Sequence, residues 1–297
     1  MHNLKLPNRV LDLSLLTSNG KVVLSERSTD TSLYACLSHC WGKNRPLVTT
    51  SETLAQHKLG ISYNKLPKTF QDAITFVCRM SIRYLWIDSL CIIQDDEEDW
   101  RRESALMADI YRNAVITLAA SAATNSTDGL FSSASAKYLG REVKCLKNCA
   151  DNHGFYFFQE RLLGPRVLHF GDLELLWECT EQSHCECGGR LSMPGSWPSE
   201  KKFFHAALLD VLPSRHVSNI WREMVQDYTR MFLTFEKDIF PAISGAAKAM
   251  EAATKSRYLA GLWECSIIED LLWSTSEPGK AQRPSVWRAP TFSWASV

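Results

Sequence analysis

The segment 82–88 has the sequence Ile82-Arg83-Tyr84-Leu85-Trp86-Ile87-Asp88. Aromatic and β-branched residues dominate it, and such residues favour an extended backbone packed against neighbours. Its length suits a strand better than a helix. We therefore predict a buried strand that ends in a carboxylate, Asp88, where the chain turns into the next segment.

Helical patterns lie on both sides of this strand. Residues 67–80 begin with a proline, which suits a first helical turn, and continue with apolar residues at helical spacing. Residues 95–113 begin with five acidic residues, and carboxylates there oppose the positive end of a helix dipole. The short apolar runs at 33–40 and 114–120 predict two further strands.

Residues 33–120 thus alternate strand, helix, strand, helix, strand, which predicts an α/β fold with a parallel sheet core. In such sheets, ligands bind beyond the carboxyl ends of the strands. The side chains expected at those ends, and therefore the candidate ligand-binding residues of the core, are Ser38, His39, Trp41, Asp88, Cys91 and Gln94.

The remainder of the chain predicts additions to this core. A hairpin is expected around residues 18–21, where Asn-Gly suits a tight turn. Residues 155–158 and 172–179 resemble strands on either side of a basic turn at 164–166. Helices are expected at 216–232, 238–253 and 265–272. We predict two parts: a core with its N-terminal hairpin at 1–180, and a mostly helical extension packed on it at 181–297.

Composition excludes several classes of protein. Lys plus Arg and Asp plus Glu both number 33, so a zero net charge argues against bulk attraction to nucleic acid or to an anionic membrane. No run approaches the ~20 apolar residues of a membrane span. The first residues lack the basic-then-apolar pattern of a secretory signal, so we expect a cytoplasmic protein with its ten cysteines reduced.

Motifs for common cofactors are also missing. No Gly-x-x-x-x-Gly-Lys-Ser/Thr loop is present, and no Gly-x-Gly-x-x-Gly opens a helix, which disfavours nucleotide hydrolases of the P-loop type and Rossmann dehydrogenases. Cys179, His184, Cys185 and Cys187 form a metal-like cluster, but the pair is Cys-x-Cys and no second knuckle follows. We therefore predict no metal site and no bound cofactor.

Several stretches resemble the HET (heterokaryon incompatibility) family in its own order. They are Tyr34–Gly42, Leu66–Ala73, Arg83–Asp96 with its continuation to Ala114, Phe158–Phe170, and shorter blocks at 174–179, 242–245, 261–263 and 290–296. The resemblance covers nearly the whole chain. Two departures stand out: His39 replaces a more usual Tyr, and residues 153–157 differ from the family's usual Arg-Gly-Trp-like stretch.

This resemblance implies a role in non-self recognition and induced cell death in filamentous fungi. HET domains are thought to be remote relatives of TIR domains, which implies a flavodoxin-like sheet. Some TIR domains cleave the nicotinamide–ribose bond of NAD, and others only assemble signalling complexes. The resemblance therefore implies two alternatives: an NAD glycohydrolase with NAD as substrate, or a non-catalytic module that self-associates and recruits partners. In either case a separate protein would act as its trigger.

Under the enzymatic alternative, Glu103 is the candidate catalytic residue. Trp100-Arg101-Arg102-Glu103 resembles the Trp-x-x-x-Glu-like segment of the TIR enzymes, although its spacing is shorter by one residue. A carboxylate near the ribose would offset the positive charge of an oxocarbenium-like state, and Trp100 would supply an aromatic wall. The alternative is that Glu103 is a solvated helix residue paired with a nearby Arg.

The other candidates also have structural alternatives. Asp88 is either a binding group or a cap for the following turn, and His39 either a proton shuttle or a structural histidine. Cys91 would be a nucleophile only beside a base that lowers its pKa; otherwise it is a buried structural thiol. Arg161 and Arg166 either hold a dinucleotide phosphate or belong to an internal salt-bridge network joining the two predicted parts.

Overall fold

A computed structural model of the chain describes residues 4–26, 30–42, 47–132, 158–172, 174–186, 201, 204–205, 214–229, 239–275 and 282–297. The chain divides into two compact units, Met1–Pro198 and Ser199–Val297. Each unit is described by itself.

The first unit is built on a nine-stranded sheet with a separate two-stranded pair. Its strands, in chain order, are β1 (Leu4–Lys5), β2 (Arg9–Asp12), β3 (Lys21–Glu26), β4 (Thr31–Ser32), β5 (Tyr34–Ser38), β6 (Ile61–Ser62), β7 (Tyr84–Ile87), β8 (Ile116–Ala119), β9 (Arg166–Phe170), β10 (Leu175–Cys179) and β11 (Ser183–Cys185). Strands β1 and β4 form the separate pair, and the other nine are ordered β11-β10-β9-β8-β5-β7-β2-β3-β6.

Helices connect these strands. They are α1 (Leu16–Asn19), α2 (Leu54–Leu59), α3 (Lys68–Arg79), α4 (Asp88–Cys91), α5 (Glu97–Asn113) and α6 (Phe158–Leu163), with a 3-10 helix at Tyr63–Lys65. The two long helices, α3 and α5, confirm the helical patterns on either side of the strand at 84–87. Helix α5 is capped by Asp96, whose side chain accepts from the amides of Glu98 and Asp99.

The centre of the sheet is parallel and its two sides are antiparallel. Strand β5 pairs in parallel with β7 and β8, and β8 pairs in parallel with β9. Taken in chain order, these four strands lie in the order 2-1-3-4, with which flavodoxin-like sheets begin. The predicted α/β class and parallel core are confirmed, whereas kinship with TIR domains remains a prediction.

The two faces of the sheet are covered by different helices. Tyr34 of β5 donates its hydroxyl to the carbonyl of Ile110 in α5 at 2.6 Å, while the His39 ring packs edge-on against Phe70 of α3 at 4.9 Å. Alternate residues along a strand face opposite sides. All five residues of β5 are buried, which is why this strand lacks the alternation of a half-exposed one.

Two local predictions differ from the structure. The strands β2 and β3 are antiparallel, but residues 13–20 join them through the short helix α1, which ends at Gly20 with φ 60°. A left-handed Gly after a helix is a C-cap rather than a tight hairpin turn. The basic turn predicted at 164–166 leads into a strand, β9, that was not predicted. Its first residue is charged and its fourth is His169, so the segment does not show the apolar pattern of a buried strand. Phe158 begins α6 instead of ending a strand, and residues 155–157 lie outside the described residues.

In its described residues the second unit combines helices with two short strands, and the predicted extension packed on the core stays a prediction. It contains α7 (Ser214–Tyr228), α8 (Ser244–Thr254) and α9 (Ile267–Asp270), with a small hairpin of β12 (Tyr258–Leu259) and β13 (Leu262–Trp263). Trp221 packs edge-on against Trp263 at 5.4 Å. The Trp221 and Trp294 indoles both donate to the Gly261 carbonyl. Gly261 has φ 99°, and a Cβ there would lie 2.4 Å from the Trp294 ring nitrogen, so no larger residue fits.

In the part of the chain that the structure describes, no helix combines the length and the apolar character that a membrane crossing requires.

The core of the first unit generates a stability prediction at Trp86. This side chain is fully buried and packs edge-on against Tyr111 at 5.5 Å. Its ring nitrogen has no hydrogen-bond partner among the described residues. Trp86→Ala should lower the free energy of unfolding by about 3–5 kcal/mol because it leaves a large cavity.

Trp86→Phe is the matched control. It keeps an aromatic ring against Tyr111 and removes the unpaired N–H, so it should cost clearly less than the alanine variant. Denaturant unfolding followed by circular dichroism measures both variants. Equal losses for the two would contradict the described packing.

Candidate functional site

The order of the parallel strands reverses between β5 and β8. The connection from β5 runs to β7 on one side, and the connection from β8 runs to β9 on the other. Connections therefore diverge at the carboxyl ends of β5 and β8, and such a reversal leaves a crevice where open α/β sheets bind ligands. We call the region around Ser38–Gly42, Asp88, Ser121 and Glu160 the strand-end crevice.

Asp88 joins two of the predicted residues in this crevice. Its Oδ2 accepts a hydrogen bond from the Trp41 indole at 2.8 Å, and its Oδ1 lies 3.7 Å from Nδ1 of His39. Oδ1 also accepts from the Ser89 amide at 2.7 Å. The Asp88 side chain remains 22% exposed. It therefore caps the turn that follows, as the structural alternative proposed, and still presents a carboxylate to solvent.

His39 is buried beside Asp88. Desolvation lowers the pKa of its ring, and the nearby Asp88 carboxylate only partly opposes that effect. The imidazole is therefore neutral at pH 7. Neither ring nitrogen has a hydrogen-bond partner among the described residues. The edge-on contact with Phe70 and the deep burial favour the structural alternative for His39.

The rim of the crevice is formed by two loops in close contact. Gly42 has φ 69°, and a Cβ there would lie 2.6 Å from Cβ of Asn125. The loop after β8 is in turn tied to α3, because the Thr69 amide donates to the Ser126 carbonyl at 3.0 Å. Gly42 thus allows the loop after β5, which carries Trp41, to approach the loop after β8.

Other predicted residues hold the backbone near the crevice. The Gln94 side-chain amide donates to the carbonyls of Asp88 and Ile92 at 3.2 and 3.1 Å, so it braces the turn after β7. Ser38 is buried, and its hydroxyl has no hydrogen-bond partner among the described residues. Burial raises the pKa of the Cys91 thiol to about 12, which favours the structural thiol over a nucleophile.

Glu160 contributes a second carboxyl group to the crevice. It lies in α6, which packs beside α5 and β8. The Glu160 residue is half-buried. Desolvation, together with the negative charge of Asp88, raises the pKa of its carboxyl to about 7. A carboxyl with such a shift beside another carboxylate is typical of a functional site.

Glu103 lies deep in a charged cluster on the β2 side of α5. It is 1% exposed, and its Oε1 accepts from the Asn8 side chain at 2.8 Å and lies 3.8 Å from Arg9. Arg9 also donates to Asp99 and, at 2.7 Å, to the Cys91 carbonyl. The second Glu103 oxygen is buried without a hydrogen-bond partner among the described residues.

This location bears on both alternatives for Glu103. The carboxylate does not point into bulk water, so it is not the solvated residue of the structural alternative. It is instead clamped by a cation, and no contact joins it directly to Asp88 or Trp41. Trp100, one turn earlier, is 39% exposed on the surface of α5. The structure therefore does not bring the Trp100–Glu103 segment into direct contact with the residues around Asp88.

The two predicted arginines lie in different places. Arg161 is buried and donates to both Glu178 oxygens, from Nε at 2.9 Å and from Nη2 at 2.8 Å. This bidentate pair supports an internal ion pair over phosphate binding. Arg166 is exposed and begins β9, where its guanidinium lies 3.4 Å from the Val115 carbonyl. Because the amino ends of β8 and β9 lie there, Arg166 is at the sheet edge opposite the crevice.

Among the described residues, no group of three or more metal-ligating side chains converges. Cys185, one member of the metal-like sequence cluster, is disulfide-bonded. Its sulfur is thus not available as a thiolate ligand. The thiols of Cys36, Cys40, Cys78, Cys91, Cys179 and Cys265 are free.

A separate hollow lies away from these residues. Its volume is about 540 Å³, and Leu16, Gly20, Tyr63, Asn64, Thr75, Cys78 and Arg79 line it. It is located at the carboxyl end of α3, where the chain enters β7 at the amino edge of the sheet. The hollow has no buried charge and contains none of the predicted site residues, so we place the candidate site at the opposite edge.

The fold and the crevice together define an α/β protein whose polar side chains meet at a reversal in the order of parallel strands. Residues 34–167 match the family model described as heterokaryon incompatibility protein (HET), and this match supports the assignment of that segment to the HET family. The match supports a role related to heterokaryon incompatibility and cell death. Comparisons with curated proteins and with solved structures gave no match.

Sequence reasoning missed part of the site. Glu160 was not among the predicted site residues. Ser121, His169 and Glu178 were not among them either. No local signal marks Glu160, because its environment depends on the packing of α6 beside α5. The one available signal was position: Ser121 follows β8 directly, where the carboxyl ends of parallel strands bring side chains together.

The buried cluster around Glu103 generates a prediction about stability. Arg9→Met keeps much of the side-chain bulk but leaves Asp99 and Glu103 without their buried cation. Removing one partner of a buried ion pair costs about 3–5 kcal/mol, so denaturant unfolding should show a loss of that size. Glu103→Gln should cost less, because Arg9 keeps Asp99 and Asn8 keeps an acceptor. An unchanged stability in Arg9→Met would rule out the cluster.

Glu160 generates a prediction about pH. Its pKa of about 7 in the folded state exceeds 4.5, the ordinary pKa of a solvated glutamate. Between these values the folded protein holds a proton that the unfolded chain has lost, so rising pH lowers stability across that window. Glu160→Gln removes this effect. Its stability relative to the wild type should rise by about 1–3 kcal/mol from pH 4.5 to pH 7.

The control for this measurement is Glu97→Gln, since the Glu97 side chain is 87% exposed. Its stability relative to the wild type should stay flat over the same range. A flat difference for Glu160→Gln as well would show that the carboxyl is ordinarily solvated.

Proposed function

We propose that this HET domain hydrolyses the nicotinamide–ribose bond of NAD in the strand-end crevice. The observation that carries the proposal is the pair of half-buried acidic residues, Asp88 and Glu160, close enough for their charges to interact. Both lie where the order of the parallel strands reverses. Trp41, bonded to Asp88 at 2.8 Å, supplies an indole at the same place.

The chemistry of this bond suits two carboxyl groups. As the C–N bond breaks, its electron pair goes to the pyridinium nitrogen, nicotinamide leaves as a neutral molecule, and positive charge develops on the ribose. A fixed carboxylate such as Asp88 would offset that charge. A second carboxylate, Glu160, would accept the proton of the water that bonds to the ribose carbon. The Trp41 indole would provide a flat surface for a base or for nicotinamide.

We therefore propose the catalytic role for the pair in the crevice rather than for Glu103. Glu103 is nearly inaccessible and its charge is balanced by Arg9, whereas Asp88 is partly exposed. A catalytic carboxylate must contact its substrate, so accessibility favours Asp88 and Glu160. Glu103 would then act by holding α5 against β2, and its predicted catalytic role remains a testable alternative.

The second candidate function is the non-catalytic module. The observation that favours it is the burial of Glu103 against Asn8 and Arg9, since Glu103 is the carboxylate in the segment that resembles the catalytic one of TIR enzymes. In that case the domain would self-associate and recruit partners without consuming NAD. Under either function we propose that a separate trigger protein controls the response and that clustering of copies activates it.

An NAD-consumption assay distinguishes these functions. Purified protein at high concentration is incubated with NAD, and nicotinamide and ADP-ribose are quantified by chromatography. Asp88→Asn and Glu160→Gln should each lower turnover on the order of a hundredfold, because each removes a charge used at the reacting ribose or water. The control Glu97→Gln changes an exposed carboxylate on α5 and should keep full turnover.

Three results would change this assignment. Loss of turnover only in a folded Glu103→Gln variant would return the catalytic role to Glu103. Full turnover in both crevice variants would exclude the carboxyl pair. An absence of NAD loss in wild-type protein, even when it is artificially clustered, would leave the non-catalytic module.

A further inference from the structure

A second group of polar side chains lies where β8, β9 and β10 run side by side. Ser121 Oγ lies 3.1 Å from Nδ1 of His169, and Nε2 of His169 lies 3.2 Å from Oε2 of Glu178. The three side chains thus form a continuous hydroxyl–imidazole–carboxylate chain. Neither the family resemblance nor the proposed NAD reaction uses it.

The sheet holds this chain in place. His169 pairs with Ala119, two residues before Ser121, on one side and with Leu176, two residues before Glu178, on the other. Residues two apart on a strand face the same side of the sheet. His169 and Glu178 are therefore positioned by backbone pairing on adjacent strands, and Ser121 lies in the turn directly after β8, where its amide donates to the Ala119 carbonyl.

Arg161 fixes the orientation of Glu178, the last of these three side chains. Its guanidinium donates to both Glu178 oxygens at 2.9 and 2.8 Å, so the carboxylate cannot rotate freely. An ionised carboxylate only accepts hydrogen bonds, so Nε2 of His169 must carry the hydrogen that it shares with Glu178. In a neutral imidazole, Nδ1 is then the acceptor, and it faces the Ser121 hydroxyl.

The three side chains differ in solvent exposure. His169 and Glu178 are each 4% exposed, whereas Ser121 is only half-buried. The oriented base is thus shielded, and the residue that carries the hydroxyl is partly exposed where β8 ends. A nucleophile bonded to a base, with the base oriented by a third group, is the arrangement that activates serine.

We propose that Ser121, His169 and Glu178 form a second catalytic site, in which Ser121 is a nucleophile toward small carboxylic esters. The Ser121 oxygen bonds to the ester carbonyl carbon as its proton passes to His169. The carbon–alkoxide bond then breaks, and the leaving alcohol takes that proton. Water attacks the acyl-serine, passing a proton through His169 to the serine oxygen, so that ester and water become acid and alcohol.

A fluorophosphonate probe tests this site without NAD. Attack by Ser121 forms a serine–phosphorus bond, releases fluoride and transfers the serine proton to His169. Peptide mass spectrometry of the folded wild-type protein should find the label on Ser121. Ser121→Ala should abolish that label, and His169→Gln should slow labelling on the order of a hundredfold because glutamine is no base.

Ser104→Ala is the matched control, since Ser104 is also half-buried but bonds only to the Arg101 carbonyl. It should leave labelling unchanged. Hydrolysis of p-nitrophenyl acetate gives a second readout: wild-type protein should turn it over, and Ser121→Ala should lose that turnover. Circular dichroism checks that each variant is folded.

The proposal is overturned if folded wild-type protein carries no label on Ser121, or if Ser121→Ala hydrolyses the ester at the wild-type rate. It is also overturned if a folded His169→Gln variant is labelled as fast as the wild type. Should His169→Gln fail to fold, the first two measurements still decide. The NAD reaction is measured separately, so each proposal can fail without the other.

Discussion

Strand β5 hydrogen-bonds to a parallel strand on each side, and this double pairing is the constraint from which the candidate sites follow. Its five residues are buried, because α5 packs on one face of the sheet and α3 on the other. Because β7 and β8 both run in its direction, their carboxyl ends meet at one edge. The polar residues that follow the three strands, among them Ser38, Asp88 and Ser121, are thereby gathered into a single crevice.

Charged groups near this edge are of two kinds. Arg9 balances Asp99 and Glu103, and Arg161 balances Glu178; these groups are nearly inaccessible. A buried charge without a partner is very costly, so such clusters hold their elements together. Asp88 and Glu160 differ, since both residues are only half-buried and no Lys or Arg pairs with either among the described residues. This difference is why we propose Asp88 and Glu160, and not the paired carboxylates, for catalysis.

The family motifs coincide with the region of the candidate site but do not include all of its candidate groups. The resemblance at 34–42 and 83–96 identified the loops after β5 and β7, and both line the crevice. The later blocks at 174–179, 242–245, 261–263 and 290–296 lie outside the matched residues 34–167. Glu103 stood out because of its Trp-x-x-Glu context, yet its burial depends on Arg9, 94 positions earlier in the chain. Glu160 had no such context, and its altered environment arises only when α6 packs against the core.

Local patterns were sufficient for the elements of the core. Two helices were predicted from periodicity at 67–80 and 95–113, and three parallel strands from apolar runs at 33–40, 82–88 and 114–120. Burial on one face or on both requires apolar residues at regular positions in the sequence. Hydrogen bonds between polar side chains show no such pattern, since they join residues far apart, such as Trp41 with Asp88 and Ser121 with His169. Only the packed structure could decide them, because a hydrogen bond or a shifted pKa depends on distance and burial in three dimensions.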